Sequence, residues 1–403
     1  MMWDSIVTEW ASLIFRWLHV VAAVGWIGSS FYFIHLDLSL QPGAKDLPEG
    51  VQGDAWQVHG GGFYRIVKYL VAPAAMPDHL TWFKWEAYTT WLSGFVLMVV
   101  VYYLDAELFL VDKSVMDLTP TQAALFSFAS LAIAWGLYEI ACRTSLANNE
   151  VAFAFGGWVF LVALSYAFTH VLSGRGAFNQ IGAIIGTIMV ANVFLTIIPN
   201  QKKTVAALLK GEKPDPKYGK TGKLRSVHNN YLTLPVVAMM ISNHYPLLFA
   251  TRYNYVIVAI FLLLGPVLRH FFNERHAGRK SPWWVWLVAA AGMIAIMLLS
   301  GAGPRDAKTS AVAPAATPKF TEVADIISSR CSMCHAVEPV WDKIPTAPRG
   351  ILLDDAEHIH RNARLIGRNA AWSSAMPPGN VTEMTPEERT TIAAWLAGGA
   401  QAE

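Results

Sequence analysis

Residues 328–341 read SSRCSMCHAVEPVW, and within them Cys331, Cys334 and His335 stand in the pattern C-x-x-C-H. One helical turn at this spacing brings two sulfurs to one porphyrin edge and an imidazole beneath the iron. The chemistry is covalent attachment of a haem c, with thioethers from Cys331 and Cys334 and with His335 as the proximal metal ligand. The chain has only three Cys. The third, Cys142, ends an apolar run and reads as a small buried hydrophobe. The distal metal ligand is expected to be Met376, in SSAMPPGN, because Met–Pro–Pro–Gly holds a thioether on a stiff loop. A Met/His pair raises the reduction potential, as suits an electron acceptor. Met384 is the next candidate, and His358 and His360 follow. A haem c alone transforms no substrate, so a donor site must lie elsewhere in the chain.

Candidates for that site cluster at one set of element ends. HGGGFYRIVKY (59–69) holds His59 and three glycines that let backbone approach a ligand closely. HLTWFKWEAYTTWLSG places Lys84 and Glu86 at the start of an apolar run. YEIACR ends another with Glu139 and Arg143, IIPNQKK ends a third with Asn200 and Gln201, and RSVHNNYLTLP opens a fourth with His228, Asn229 and Asn230. Amide and guanidinium donors, a base and aromatic surfaces would together suit a flat, polar, anionic heterocycle. Taken singly, Lys84, Arg143 and Arg225 also read as ordinary surface charges and the Asn residues as caps. Histidines in or beside apolar runs form a second set. His19 is deep in the first, while His170 and His244 sit at run ends with His35, His228 and His270.

The elements that must position these residues are helices in a membrane. The chain has 403 residues, 54% hydrophobic and 15% charged, against about 25% charged in soluble chains. Net charge is +2, which says little about partners, and no nucleic acid is expected among them. Eight apolar helices are predicted, over about 10–36, 85–104, 120–142, 151–172, 177–198, 228–245, 254–272 and 282–300. The sixth is the weakest, being polar at both ends and carrying Pro235. The first is too long for a cleaved signal. With the N-terminus outside, inner segments hold sixteen Lys and Arg and outer loops three, which sets the orientation. Lys45 belongs to the inner count. Residues 301–319, rich in Ala and Pro, read as a flexible linker. The fold expected is all-α: an eight-helix transmembrane bundle over 1–300, then a small class I cytochrome c-like domain over 320–403. TPEERTTIAAWLAGG reads as its last helix, capped by Thr385 and Glu388.

HVVAAVGWIGSSFYFIHLD, HGGGFYRIVKY, WFKWEAYTTWLSGF and RSVHNNYLTLPVVAMMISNHYP resemble the membrane-bound bacterial urate oxidases, whose eight-helix body ends in a cytochrome c domain. The resemblance covers essentially the whole chain. It implies oxidation of urate to 5-hydroxyisourate, with electrons passing through the haem c to the respiratory chain and not to peroxide. It implies a multi-pass protein of the bacterial inner membrane with a periplasmic cytochrome domain. The external acceptor would be a cytochrome oxidase or a soluble cytochrome c. Urate is then expected among Arg143, Asn229, Asn230, Lys84 and His59, with His228 or Glu86 as the base. That pocket is on the inner side and the haem c on the outer, across about 30 Å of hydrocarbon, so a relay is expected. LHVVAAVGWIG also resembles the first helix of membrane families in which such a His binds haem b. His19 is therefore the first candidate for a haem b, with His170 and His244 after it. A quinol–cytochrome c oxidoreductase and a redox sensor without urate chemistry are the alternatives.

Overall fold

The computed structural model describes residues 2–42, 47, 48, 50–69, 73, 76–304, 317–341 and 344–401. Lys45 and residues 305–316 of the expected linker lie outside them. The chain is 68% helix and 5% strand. In order, the first half runs α1 (Met2–Ser39), β1 (Val51–His59), β2 (Gly62–Tyr69), α2 (Trp85–Leu97), α3 (Ala106–Phe109), α4 (Pro120–Ala141), α5 (Glu150–Thr169) and α6 (Gly174–Ala191). It continues with α7 (Ile198–Leu209), α8 (Pro216–Ser242), α9 (Pro246–Phe249), α10 (Asn254–His276) and α11 (Trp284–Ser300). The tail contributes α12 (Phe320–Arg330), α13 (Ala356–Arg361), α14 (Ala363–Ile366) and α15 (Pro386–Ala397).

Each of the eight predicted segments lies in a helix, but not all have the length or polarity of a span. Among the described residues, five helices are long and apolar enough to cross a membrane: Ile6–Ser39, Pro120–Ala141, Glu150–Thr169, Gly174–Leu209 and Asn254–His276. The fourth of these runs straight through α6, a π-helical turn at Asn192–Ile197 and α7. The segment expected as an inner loop, 199–226, is therefore largely helical, filled by α7 and the first turns of α8. The outward faces of α1, α4 and α11 are apolar, with Trp17, Val24, Ile133, Ile140, Leu287 and Met297 all exposed. Such surfaces suit lipid better than water.

The all-helical expectation fails at one place. β1 and β2 pair antiparallel, with His59 opposite Gly62 across Gly60 and Gly61. Both turn glycines have positive φ, +59° and +80°, which a two-residue hairpin of this hand requires. The glycines of HGGGFYRIVKY thus make a turn. Asp54, buried, anchors the hairpin by accepting from Arg65 Nε at 2.6 Å.

α6 is the central helix, packed against α2, α4, α5 and α8, and Phe178, Ile181, Ile184 and Ile185 along it are wholly buried. Ser173 starts it by accepting from the amide of Gly176 at 3.0 Å. α8 and α10 meet at Pro235 and Gly265, so closely that a Cβ on Gly265 would stand 2.4 Å from Pro235 Cδ. The tail has its own core of Val323, Ile327, Met384, Ile392 and Trp395. α15 carries the expected capping box, the Thr385 hydroxyl accepting from Glu388 N and the Glu388 carboxylate from Thr385 N. The tail rests on the body: Ser374 N donates to Ala250 O at 2.9 Å, and Gly379 lies against the carbonyl of Val111, where a Cβ would come within 2.4 Å.

Candidate functional site: a cavity shared by body and tail

α12 ends at Cys331, and the amides of Cys334 and His335 donate to the Cys331 carbonyl at 3.1 and 3.0 Å, forming the turn that the motif requires. Burial pushes the Cys331 thiol up to about 12, with the Arg389 guanidinium pulling the other way, and burial raises Cys334 as well. His335 Nδ1 lies 2.9 Å from Ile351 O. Only an Nδ1–H can donate to that carbonyl, so Nε2 keeps its lone pair for iron. His335 and Met376 line one cavity; Met384, His358 and His360 do not. Met384 is buried in the tail core. His358 is held by Asp354 and Asp355 at 2.8 and 3.0 Å, and the Val337 amide and His358 together hold the Asp354 carboxyl below its usual range. His360 stacks on Phe320 at 4.5 Å. These residues fit a haem c held by Cys331, Cys334, His335 and Met376.

That cavity, about 1240 Å³, continues into the helical body between α1, α2, α6 and α8. It is larger than the usual ligand pocket of about 300–1,000 Å³. Its deep wall includes His19, Ala23, Ile27, Gly94, Ala183 and Gly186. His19 Nδ1 lies 2.8 Å from Thr90 O, which again leaves Nε2 as the free lone pair. Gly94 makes room for the ring: a Cβ there would stand 2.8 Å from His19 Cε1. His244 lines the same cavity. His170 does not; it lies over Tyr166, with its Nδ1 2.7 Å from Tyr166 O. His19, with the small residues Gly94 and Gly186 on the same wall, would fit a b-type haem.

The polar residues expected to gather at the other end of the bundle are only partly brought together. Tyr138 OH lies 2.8 Å from His228 Nδ1, and Asn192 donates to Tyr138 at 2.9 Å and to Asn229 at 2.9 Å. Arg225, buried, donates to Glu139 at 2.7 Å and to Asn192 at 3.3 Å. His228 stacks on Phe153 at 4.6 Å. The π-helical turn places Asn192 at the hub of this network, as such bulges often do at functional positions. Arg143 reaches it only at the rim, bonded to Glu139 with its side chain 77% exposed. Asn230 faces elsewhere and accepts from Arg269 Nε at 2.5 Å. Lys84 lies over the Trp85 ring, Glu86 lies beside Gly25 of α1, and His59 lines a shallow pocket of about 630 Å³ with His35 and Tyr64. The residues expected in one polar pocket thus do not share a single site.

Arg389 was not legible as a site residue. Buried on α15, it donates to Ala370 O, Met376 O and Ser373 O at 2.6, 2.8 and 3.3 Å, so it pins the loop that carries Met376. A single arginine on the apolar face of a short helix was the available signal. Arg175 and Arg16 also line the cavity, and neither stands in a motif that marks it in the sequence.

A protein-family model described as "Urate oxidase N-terminal" matches residues 5–300, ending where α11 ends. No curated protein and no solved structure gave a match.

Proposed function

Because this chain belongs to the urate oxidase N-terminal family, we propose that it oxidises urate to 5-hydroxyisourate and passes the electrons to a c-type haem in its own tail. The balanced reaction is urate plus water giving 5-hydroxyisourate, two electrons and two protons. The electrons leave one at a time, since a haem is a one-electron acceptor. The observation that carries this reading is the single cavity running from His19 in the body to His335 and Met376 in the tail. It gives a substrate bound in the body a short path to the electron acceptor.

Cys331 and Cys334 would hold the haem c covalently, His335 and Met376 would ligate it, and Arg389 would keep Met376 in place. His19 would ligate a b-type haem. The body would cross the bacterial inner membrane with both ends in the periplasm, and a cytochrome oxidase or a soluble cytochrome c would take the electrons onward. A quinol donor is the second reading, favoured by the apolar deep wall of Val20, Ala23, Ile27 and Leu97.

The test is direct. Detergent-solubilised, haem-loaded protein is mixed anaerobically with urate or with a reduced short-chain quinone, and the haem c α-band is followed. Reduction by urate supports the proposal. A protein that stays ferric with urate and turns ferrous with the quinol rejects it.

A further inference from the structure

We propose that the tail end of the shared cavity is the binding site for the planar purine anion, with Arg175 as its principal partner. This rests on the reading just given, and it moves the substrate away from the Arg225 network to the opposite end of the bundle.

Among the described residues, the charged ones lining the cavity are Arg16, Arg175, Arg349, Arg368 and Asp112. Asp112 is occupied, accepting from Ser114 N and Oγ at 3.1 and 2.5 Å. Four guanidinium groups against one engaged carboxylate make the vestibule anion-selective, and an apolar-walled cleft concentrates that field. Two of the four come from the body and two from the tail, so the vestibule lies where the two meet.

Arg175 is set apart from the other three by its surroundings. Its guanidinium lies over the Phe109 ring at 4.3 Å and faces Tyr102 at 5.7 Å. Its Nε is buried and has no hydrogen-bond partner among the described residues. Asn179 lies one turn further along the same face of α6 and also lines the cavity. Asn243 donates to Asn179 Oδ1 at 3.2 Å and accepts from Tyr102 OH at 2.7 Å. A planar guanidinium held on an aromatic face, beside two amides, matches the fused N–C=O edges of a purine anion, which take paired hydrogen bonds. The next residues on that α6 face, Ala183 and Gly186, are small, so a flat ring system can lie along it. By contrast, Arg225, Asn192, Asn229, Tyr138 and His228 are hydrogen-bonded to one another, and although Arg225 Nε is likewise buried without a partner among the described residues, none of the five lines the cavity that holds Arg175.

Phe109 also ties this site to the tail. The segment Glu107–Val111 beside it is the one on which Gly379 rests, three residues from Met376. The same cationic end could instead hold a haem propionate, so the experiment separates the two anions.

Arg175→Met and Arg175→Lys are made in the full haem-loaded chain. Equilibrium dialysis measures urate binding, and anaerobic reduction of haem c by urate is followed against urate concentration. Haem content, the α-band position and the midpoint potential are read on the same samples. Urate binding weakened at least tenfold in both variants, with the haem readouts unchanged, supports the site. The Lys variant retains the charge and serves if the Met variant fails to assemble. Binding unchanged in the variants overturns it. A shifted potential with unchanged urate binding also overturns it, assigning Arg175 to a propionate. If the wild type binds urate but is never reduced by it, the urate oxidase reading fails while the anion site stands.

Discussion

For the proposed haem c two methionines are candidate iron ligands, and the structure predicts different consequences for each. Met376 is 39% exposed and lines the cavity with His335, whereas Met384 is 1% exposed within the tail core. Substituting Leu keeps volume and removes sulfur, a swap that usually costs under about 1.5 kcal/mol even in a core. Met376→Leu is therefore expected to leave the tail folded and to abolish the near-infrared Met-to-iron charge-transfer band. The midpoint potential should fall by a readily measured fraction of the about 0.8 V that axial ligands span. Met384→Leu should retain the band and the potential. Alanine reverses the order for stability. Met384→Ala leaves a cavity among Val323, Ile327 and Trp395 and costs about 2–5 kcal/mol. Met376→Ala strips a partly exposed side chain and costs about 1 kcal/mol of packing. The assay is near-infrared absorption and potentiometry on the oxidised chain, followed by thermal melts. Loss of the band in Met384→Leu with retention in Met376→Leu would refute the assignment, and with it the view that one cavity joins the haem c to the body.

Other expectations follow from the body. Glu139→Gln removes the carboxylate from Arg225, whose side chain is 4% exposed, and should destabilise the chain by about 3 kcal/mol. Arg143→Ala breaks the exposed half of the same triad and should change stability by under about 0.5 kcal/mol. Melting of both variants in detergent checks the pair, and equal shifts would contradict the buried geometry. Gly94→Leu drives a side chain into His19, where even a Cβ would come within 2.8 Å. Pyridine haemochrome spectra should then lose the b-type component and keep the c-type. A wild-type spectrum with c-type haem alone would remove the b site altogether.

What could be read from the chain, and what could not, divides by range. The helices were legible because hydropathy over 20 residues is a local property, and the α15 capping box because four consecutive positions specify it. The hairpin is equally local, since Gly60–Gly61 sits between β-rich runs, but a run of glycines also reads as backbone that can approach a ligand closely. Asn229 and Asn230 were placed in one site, although adjacent helical residues diverge by about 100°. The structure sends one to Asn192 and the other to Arg269. The π-helical turn that delivers Asn192 leaves no pattern in composition. The cavity was out of reach for a different reason. Its wall is built from α1, α2, α6, α8 and the tail, and only their docking brings Arg175 and Met376 to one space.

Where the purine sits also decides whether charge crosses the bilayer. A pocket at the Arg225 end would place donor and haem c on opposite sides of about 30 Å of hydrocarbon. Each electron would then traverse the membrane potential, at about 2.3 kcal/mol per 100 mV. With an inside-negative potential the outward electron step is favoured, and the equilibrium shifts about fiftyfold per 100 mV. A purine at the Arg175 end stays on the haem c side, and neither its electrons nor its two protons cross. Oriented proteoliposomes separate the cases. With the tail facing outward, urate added outside should reduce the haem c, and an imposed 100 mV diffusion potential should leave the extent and rate of reduction unchanged. Reduction only by urate trapped inside, or a strong response to the potential, would put the substrate at the Arg225 network and make a transmembrane relay through His19 necessary. The cationic vestibule of Arg16, Arg175, Arg349 and Arg368 favours the first result, because it opens where the body and the tail meet.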